Sequence, residues 1–194
     1  MRRSPQQARA GLRRAKFIEV AAQLIGERGY EGVTMTAIAD QAEASIGTLY
    51  DYFPDKATLA LAIKAQYVQE IDEYWKVLLR DPSALTGRAL ADLFVEGALE
   101  LIRKWPAYLP LLDAPVAFTR SAAARQPLRK TIAGALQAKN AKVSDEQAFI
   151  HAQVIVELIK SLLSVYRNSV ARDRDAVAGE FKRLIRLYIV QILK

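Results

Sequence analysis

Residues 33–56 read VTMTAIADQAEASIGTLYDYFPDK, and their spacing predicts two short helices joined by a tight turn, with a third helix following at once. Thr34 stands before Met35-Thr36-Ala37-Ile38-Ala39, where its hydroxyl can accept from an orphan amide of an opening helix, a cap worth about 1 kcal/mol. Ile38, Ala39 and Ala42 give that helix an apolar face. Glu43-Ala44 is too short for anything but a turn. Ser45 is placed to cap a second helix over 46–50, which opens on small or polar residues. Pro54 ends it, and Asp55 is placed to cap the next. Two helices joined by a turn of about three or four residues, the second offering its N-terminal side chains, form an architecture that reads the major groove of duplex DNA.

The stretch resembles the DNA-binding segment of the tetracycline-repressor (TetR-like) family of bacterial transcriptional regulators. The matching residues are Thr34, the Ile38-Ala39 pair, Ala42, Ser45, the Gly47-Thr48-Leu49-Tyr50 run, Tyr52-Phe53 and Lys56. A helix over 17–28 followed by Gly29-Tyr30 fits the family's first helix and turn. About a quarter of the chain carries the motif. Beyond it the agreement is in the number and length of helices.

The resemblance implies operator contacts at Thr34, Thr36, Ser45, Ile46, Gly47, Thr48, Tyr50, Tyr52 and Lys56. Ser45 and Thr48 would reach phosphates or base edges, and Ile46 a thymine methyl, with Gly47 leaving room for the approach. Tyr50 and Tyr52 would donate hydroxyls to phosphates, Thr34 and Thr36 would serve the adjacent strand, and Lys56 would add charge beside the amides that open the fourth helix. Each has a plainer alternative. Thr34 and Ser45 can be caps alone, Tyr50 can join Leu49 and Phe53 in the core, and Lys56 can be an ordinary surface lysine. Two positions depart from the family. Glu43 stands where glycine is frequent, which disfavours a left-handed turn and puts an acid near the DNA face. Ile46 stands where a basic or polar residue is frequent.

At 194 residues and 52% hydrophobic, the chain can bury one sizeable core or two small ones sharing a helix. No run of about 18 apolar residues and no cleavable leader is seen, so a membrane span and secretion are not expected and a cytoplasmic location is. The absence of cysteine and the single histidine argue against disulfides, thiolate sites and the usual zinc clusters. No metal and no cofactor is expected. No nucleophile, base and orienting group occur together, so no catalytic residue is assigned. The net charge of +7 favours a polyanionic partner. Residues 1–16 hold Arg2, Arg3, Arg9, Arg13, Arg14 and Lys16 without an acid. They read as a basic arm along phosphates or in the minor groove, or as a solvated tail.

Apolar residues recur with a helical period almost throughout, so the predicted class is all-α. A three-helix helix-turn-helix DNA-binding domain is expected over 1–56, and a helical effector-binding and dimerisation domain over 57–194. Beyond the motif, helices are expected at 56–80, 85–103, 107–112, 115–125, 128–139, 145–169 and 174–193. Prolines 106, 110, 115 and 127 break the middle into short pieces, where cavities form. The resemblance implies a small-molecule effector there, with Trp75, Phe94, Trp105, Tyr108, Phe118 and His151 as candidates and an apolar or aromatic ligand favoured. For His151 a hydrogen-bonded core or dimer-interface role is favoured over a ligand contact.

Between 148 and 166 the polar residues Gln153, Glu157, Lys160, Ser161 and Ser164 fall on one narrow stripe, and the final helix is similarly apolar. A two-fold dimer through a four-helix bundle would cover the excess, with Phe149, Val156, Leu163, Phe181, Leu184, Tyr188 and Ile192 as interface candidates. The alternative is a monomer in which both helices are central. The leading expectation is a homodimeric repressor released from a palindromic double-stranded operator by a small molecule. Alternatives are an all-α small-molecule-binding protein or enzyme, and a DNA-binding protein without effector.

Overall fold

A computed structural model describes residues 5–116 and 126–194, and the described chain is helical without strands. It divides into two compact units, the first built from 1–69 with 104–118 and the second from 70–103 with 119–194. Their cores are described in turn.

The first unit holds α1 (Pro5–Arg28), α2 (Met35–Gln41), α3 (Ile46–Tyr52), the opening turns of α4 (Lys56–Leu78), and α6 (Tyr108–Asp113). Phe17, Leu24, Ile25, Ile38, Leu49, Phe53, Leu59 and Ile63 are closed to solvent and form its core. Such burial contributes about 1.5–3 kcal/mol for each large side chain. Gly29 ends α1 in the left-handed conformation (φ 73°), its N–H donating to Ile25 O at 2.9 Å. Gly26 allows a close approach by the chain leading into α6, since a Cβ there would stand 2.7 Å from Pro106 Cβ. Lys64 of α4 donates to Val116 O at 2.9 Å, and burial lowers its pKa. Residues far apart in sequence thus complete this unit.

The start of α1 departs from the expected 17–28. Pro5 occupies its first turn, where a missing N–H costs nothing, and the Gln, Ala and Arg residues after it favour helix. These turns carry no apolar period, so hydrophobic patterning does not reveal them. Arg9, Arg13, Arg14 and Lys16 therefore stand on a helix and not on a loose arm. The helix expected at 115–125 lies, past Val116, outside the described residues.

The second unit holds the end of α4, most of α5 (Gly87–Lys104), α7 (Gln126–Lys139), α8 (Asp145–Asn168) and α9 (Arg174–Ile192). Its core centres on Trp75, Leu90, Phe94, Leu136, Ile155, Leu162, Ile185 and Ile189. A capping box opens α8: Ser144 Oγ accepts from Gln147 N at 3.2 Å, and Ser144 N donates to Gln147 Oε1. Both α7 and α9 pack on α8. Arg186 of α9 grips Asp92 of α5 with two bonds, 2.5 and 2.7 Å. That hydrogen-bonded guanidinium, with Lys182 and Arg88 nearby, holds the Asp92 carboxyl below its ordinary pKa. By length and composition α8 is apolar enough to cross a membrane, with mean hydropathy 1.6. Seven of its residues, from Ala148 to Leu163, are instead buried within the unit.

Candidate nucleic-acid interface

The turn between α2 and α3 is built by short-range hydrogen bonds. Thr34 Oγ1 accepts from Ala37 N at 3.1 Å, and Ser45 Oγ accepts from Thr48 N at 3.1 Å. Ser45 Oγ and Thr48 Oγ1 are also hydrogen-bonded to each other at 2.8 Å. Two hydroxyls carry two protons and this contact uses one, so the pair keeps one O–H free to donate outward. Thr34 accepts with a lone pair and likewise retains its proton. Capping and phosphate binding are therefore compatible at these positions.

Between the helices Glu43 takes the left-handed conformation (φ 54°), its N–H donating to Asp40 O at 3.1 Å. The geometry that glycine would favour is kept, at a cost of about 1–2 kcal/mol. On α3, Leu49 is buried while Ile46 (38%) and Tyr50 (49%) are exposed. A Cβ on Gly47 would meet nothing closer than Ser45 Oγ at 3.9 Å, so the protomer's own packing does not require glycine there. Thr36 is exposed. Tyr52 is half-buried, its ring edge-on to Phe17 at 5.6 Å.

Lys56 is placed differently from the phosphate contact expected of it. Its Nζ donates to Tyr30 O (2.9 Å) and Val33 O (3.0 Å) and sits 4.3 Å from the Tyr30 ring centroid. The ammonium holds the loop between α1 and α2 with two of its three N–H donors, which gives Lys56 a structural role within the unit. The amides opening α4 are also engaged: Asp55 Oδ1 accepts from Thr58 N at 2.6 Å, which lowers the Asp55 pKa. The Asp55 carboxylate thus takes up one of the amides of the expected anion site. The sequence carries no sign of the Tyr30 and Val33 carbonyls as Lys56 partners.

The effector candidates are divided between the two units. Trp75 and Phe94 pack on each other with centroids 5.8 Å apart and fill the core of the second unit. Trp105 pairs with Tyr67 in the first unit, which also contains Tyr108. Phe118 lies outside the described residues. His151 Nδ1 and Tyr188 Oη are 2.8 Å apart, joining α8 to α9. A groove of about 390 Å³ is lined by Arg88, Lys182, Arg183, Arg186, Leu187 and Val190, none of them a candidate.

Two interface candidates are corrected. Val156 and Leu163 are 5% and 2% exposed, because α8 turns that side into the protomer core. Phe149, Phe181, Tyr188 and Ile192 are half-buried, and Leu184 is 47% exposed. Ile150, Val154 and Val165 on α8, and Leu187 on α9, are exposed apolar residues outside the expected set. Their spacing of four and eleven along α8 is the signal that marks them, since both steps return to one helical face.

A capped pair of short helices, the second with an open, partly apolar outer face, defines a helix-turn-helix module. Residues 17–63 match the model for bacterial regulatory proteins of the tetR family, and 88–188 match the tetracyclin repressor-like C-terminal domain. The chain belongs to the TetR family, which is a family of regulators and not of enzymes.

The HTH-type transcriptional repressor KstR of Rhodococcus jostii (strain RHA1) is 38% identical over 64 residues, covering 33% of this chain and 30% of the relative. The chain thus matches less than a third of that relative's length. Over the full fold, a TetR-family transcriptional regulator from Pectobacterium atrosepticum superposes with a TM-score of 0.75 at 18% identity, covering 95% of each chain. A single-substitution variant of TetR from Acinetobacter baumannii AYE, solved in complex with minocycline, gives a TM-score of 0.61 at 13% identity, covering 90% of this chain and 93% of that one. At these identities the likeness is one of fold.

Proposed function

We propose that the protein is a cytoplasmic transcriptional repressor that binds a palindromic operator as a homodimer and leaves it when a small molecule binds. The carrying observation is the outer face of α3, where Ile46, Gly47, Tyr50 and the free hydroxyl of the Ser45–Thr48 pair stand open on a capped helix. The family assignment supports a regulator, and the relatives named KstR support repression. Residues 1–56 would read DNA, and 57–194 would sense and dimerise.

In a two-fold dimer the recognition helices meet successive major grooves about 34 Å apart. The dimer face is best supplied by Ile150, Val154 and Val165 with Leu184 and Leu187, in place of Val156 and Leu163. An effector shifts the population toward dimers whose helices no longer match that spacing. A tenfold release needs about 1.4 kcal/mol of differential binding. The minocycline complex of a fold neighbour supports a small-molecule ligand. An apolar effector would enter beside Trp75 and Phe94 by opening their packing.

Anisotropy titrations with duplexes from the gene's own upstream region test this reading. Wild-type protein should bind one palindrome with an affinity that falls as salt rises. Thr48→Ala should alter the ranking of operator variants by about 1–3 kcal/mol at one position. Uniform weakening would remove the base-reading role, and no binding at low ionic strength would overturn the function.

A further inference from the structure

The part of α1 that precedes Phe17 lies outside the matched family segment, which begins at residue 17. Every residue from Gln7 to Lys16 is exposed, Leu12 at 73%. Arg9, Arg13 and Lys16, spaced by four and then three, fall on one helical face. No acid precedes Glu19. None of the three cations is in an ion pair among the described residues. Arg14 points elsewhere, its guanidinium 5.2 Å from the centroid of Phe53, the residue that closes α3. One turn further on, Phe17 meets Tyr52 of α3. The basic stretch is therefore anchored at its base to the end of the recognition helix.

We propose that the Arg9–Arg13–Lys16 face is a second DNA contact, lying along the phosphate backbone beside the groove that α3 enters. The inference rests on the DNA-binding reading and adds a surface to it. Charge complementarity selects the partner, and continuity with α3 selects the place. Helical form selects the mode. An α-helix with side chains is about 10–12 Å wide, against about 6 Å for the minor groove, so this segment cannot thread that groove as an extended arm does. It must track phosphates. From Arg9 to Lys16 the face runs about 10 Å, near the axial rise of three nucleotides in one strand. Contacts of this kind strengthen binding to every sequence equally and leave base preference to α3.

The test compares wild type with a triple variant, Arg9→Gln, Arg13→Gln and Lys16→Gln. A second triple variant, Lys130→Gln, Lys142→Gln and Arg172→Gln, removes as many exposed charges from the second unit. The first triple should lose about tenfold or more in affinity for all duplexes near physiological salt, with a log–log salt slope shallower by about 2–3 per bound subunit. Its ranking of operator variants and its helical content should be unchanged, and the control triple should bind as wild type does. Wild-type-like affinity and slope in the first triple, equal losses in both triples, or a changed ranking would each overturn the proposal. A wild-type protein that binds no duplex would instead defeat the DNA reading beneath it.

Discussion

In the first unit, Thr34, Ser45 and Asp55 each give an oxygen to the amide three residues ahead, whereas in the second Ile150, Val154, Val165, Leu184 and Leu187 remain 37–67% exposed with no apolar cover. In the first region three helix starts are each capped within the protomer itself. The second leaves aliphatic side chains open to solvent, which is costly until another surface covers them. A self-capped module and an open apolar face would divide the labour. On the proposed function, one would present chemistry to the operator and the other would fix how two copies present it together.

The sharpest way to break this contrast is Leu184→Glu. A carboxylate in the middle of an apolar contact must be desolvated on association, which costs several kcal/mol. The variant should sediment as a single chain and lose operator affinity by about 10²–10⁴-fold as the second half-site contact is lost. Because Leu184 is 47% exposed in the protomer, thermal unfolding of the monomer should stay cooperative. Val156→Glu, at a position 5% exposed, should instead unfold the protomer. An unchanged mass for Leu184→Glu would reject this face.

A smaller effect separates structural from DNA-binding charge. Lys56→Met keeps the aliphatic stem but removes the two carbonyl contacts and the ammonium over Tyr30. Hydrogen bonds to a charged group in a half-buried site put the loss at about 2 kcal/mol, read from urea unfolding. The salt slope of operator binding should not change. A slope shallower by about 1 would restore Lys56 as a phosphate contact.

These regions also differ in how far they are legible in the sequence. Thr34 and Ser45 can be read as caps because the donor lies three residues away and depends on nothing else. The partners of Lys56 lie 26 and 23 residues back, and no local rule connects them. The helical period marks α8 as apolar nearly all round, yet which side faces the protomer depends on where α7 and α9 pack. That is why patterning puts Val156 and Leu163, which are buried, among the outward-facing candidates, while Leu184 is exposed. Trp75 and Phe94 are recognisable as buried aromatics, but composition does not distinguish a filled core from a cavity. Polar helix without apolar period, as in the first turns of α1, leaves only propensity and Pro5 to mark it.

The smallest expected effect lies in the turn itself. Glu43 holds φ 54° with its N–H bonded to Asp40 O, a conformation that costs a residue with Cβ about 1–2 kcal/mol. Glycine removes that cost but loosens the unfolded chain by about 0.4–1 kcal/mol. The two terms oppose, and the conformational relief is the larger. Glu43→Gly should therefore raise stability by about 0.5 kcal/mol, a shift of roughly 1–2 °C for a chain of this size. Removing an exposed carboxylate near α3 should also tighten DNA binding modestly and alike for all sequences, with the gain fading at high salt. A fall in melting temperature would mean that the Glu43 side chain stabilises the turn by more than the backbone strain it imposes.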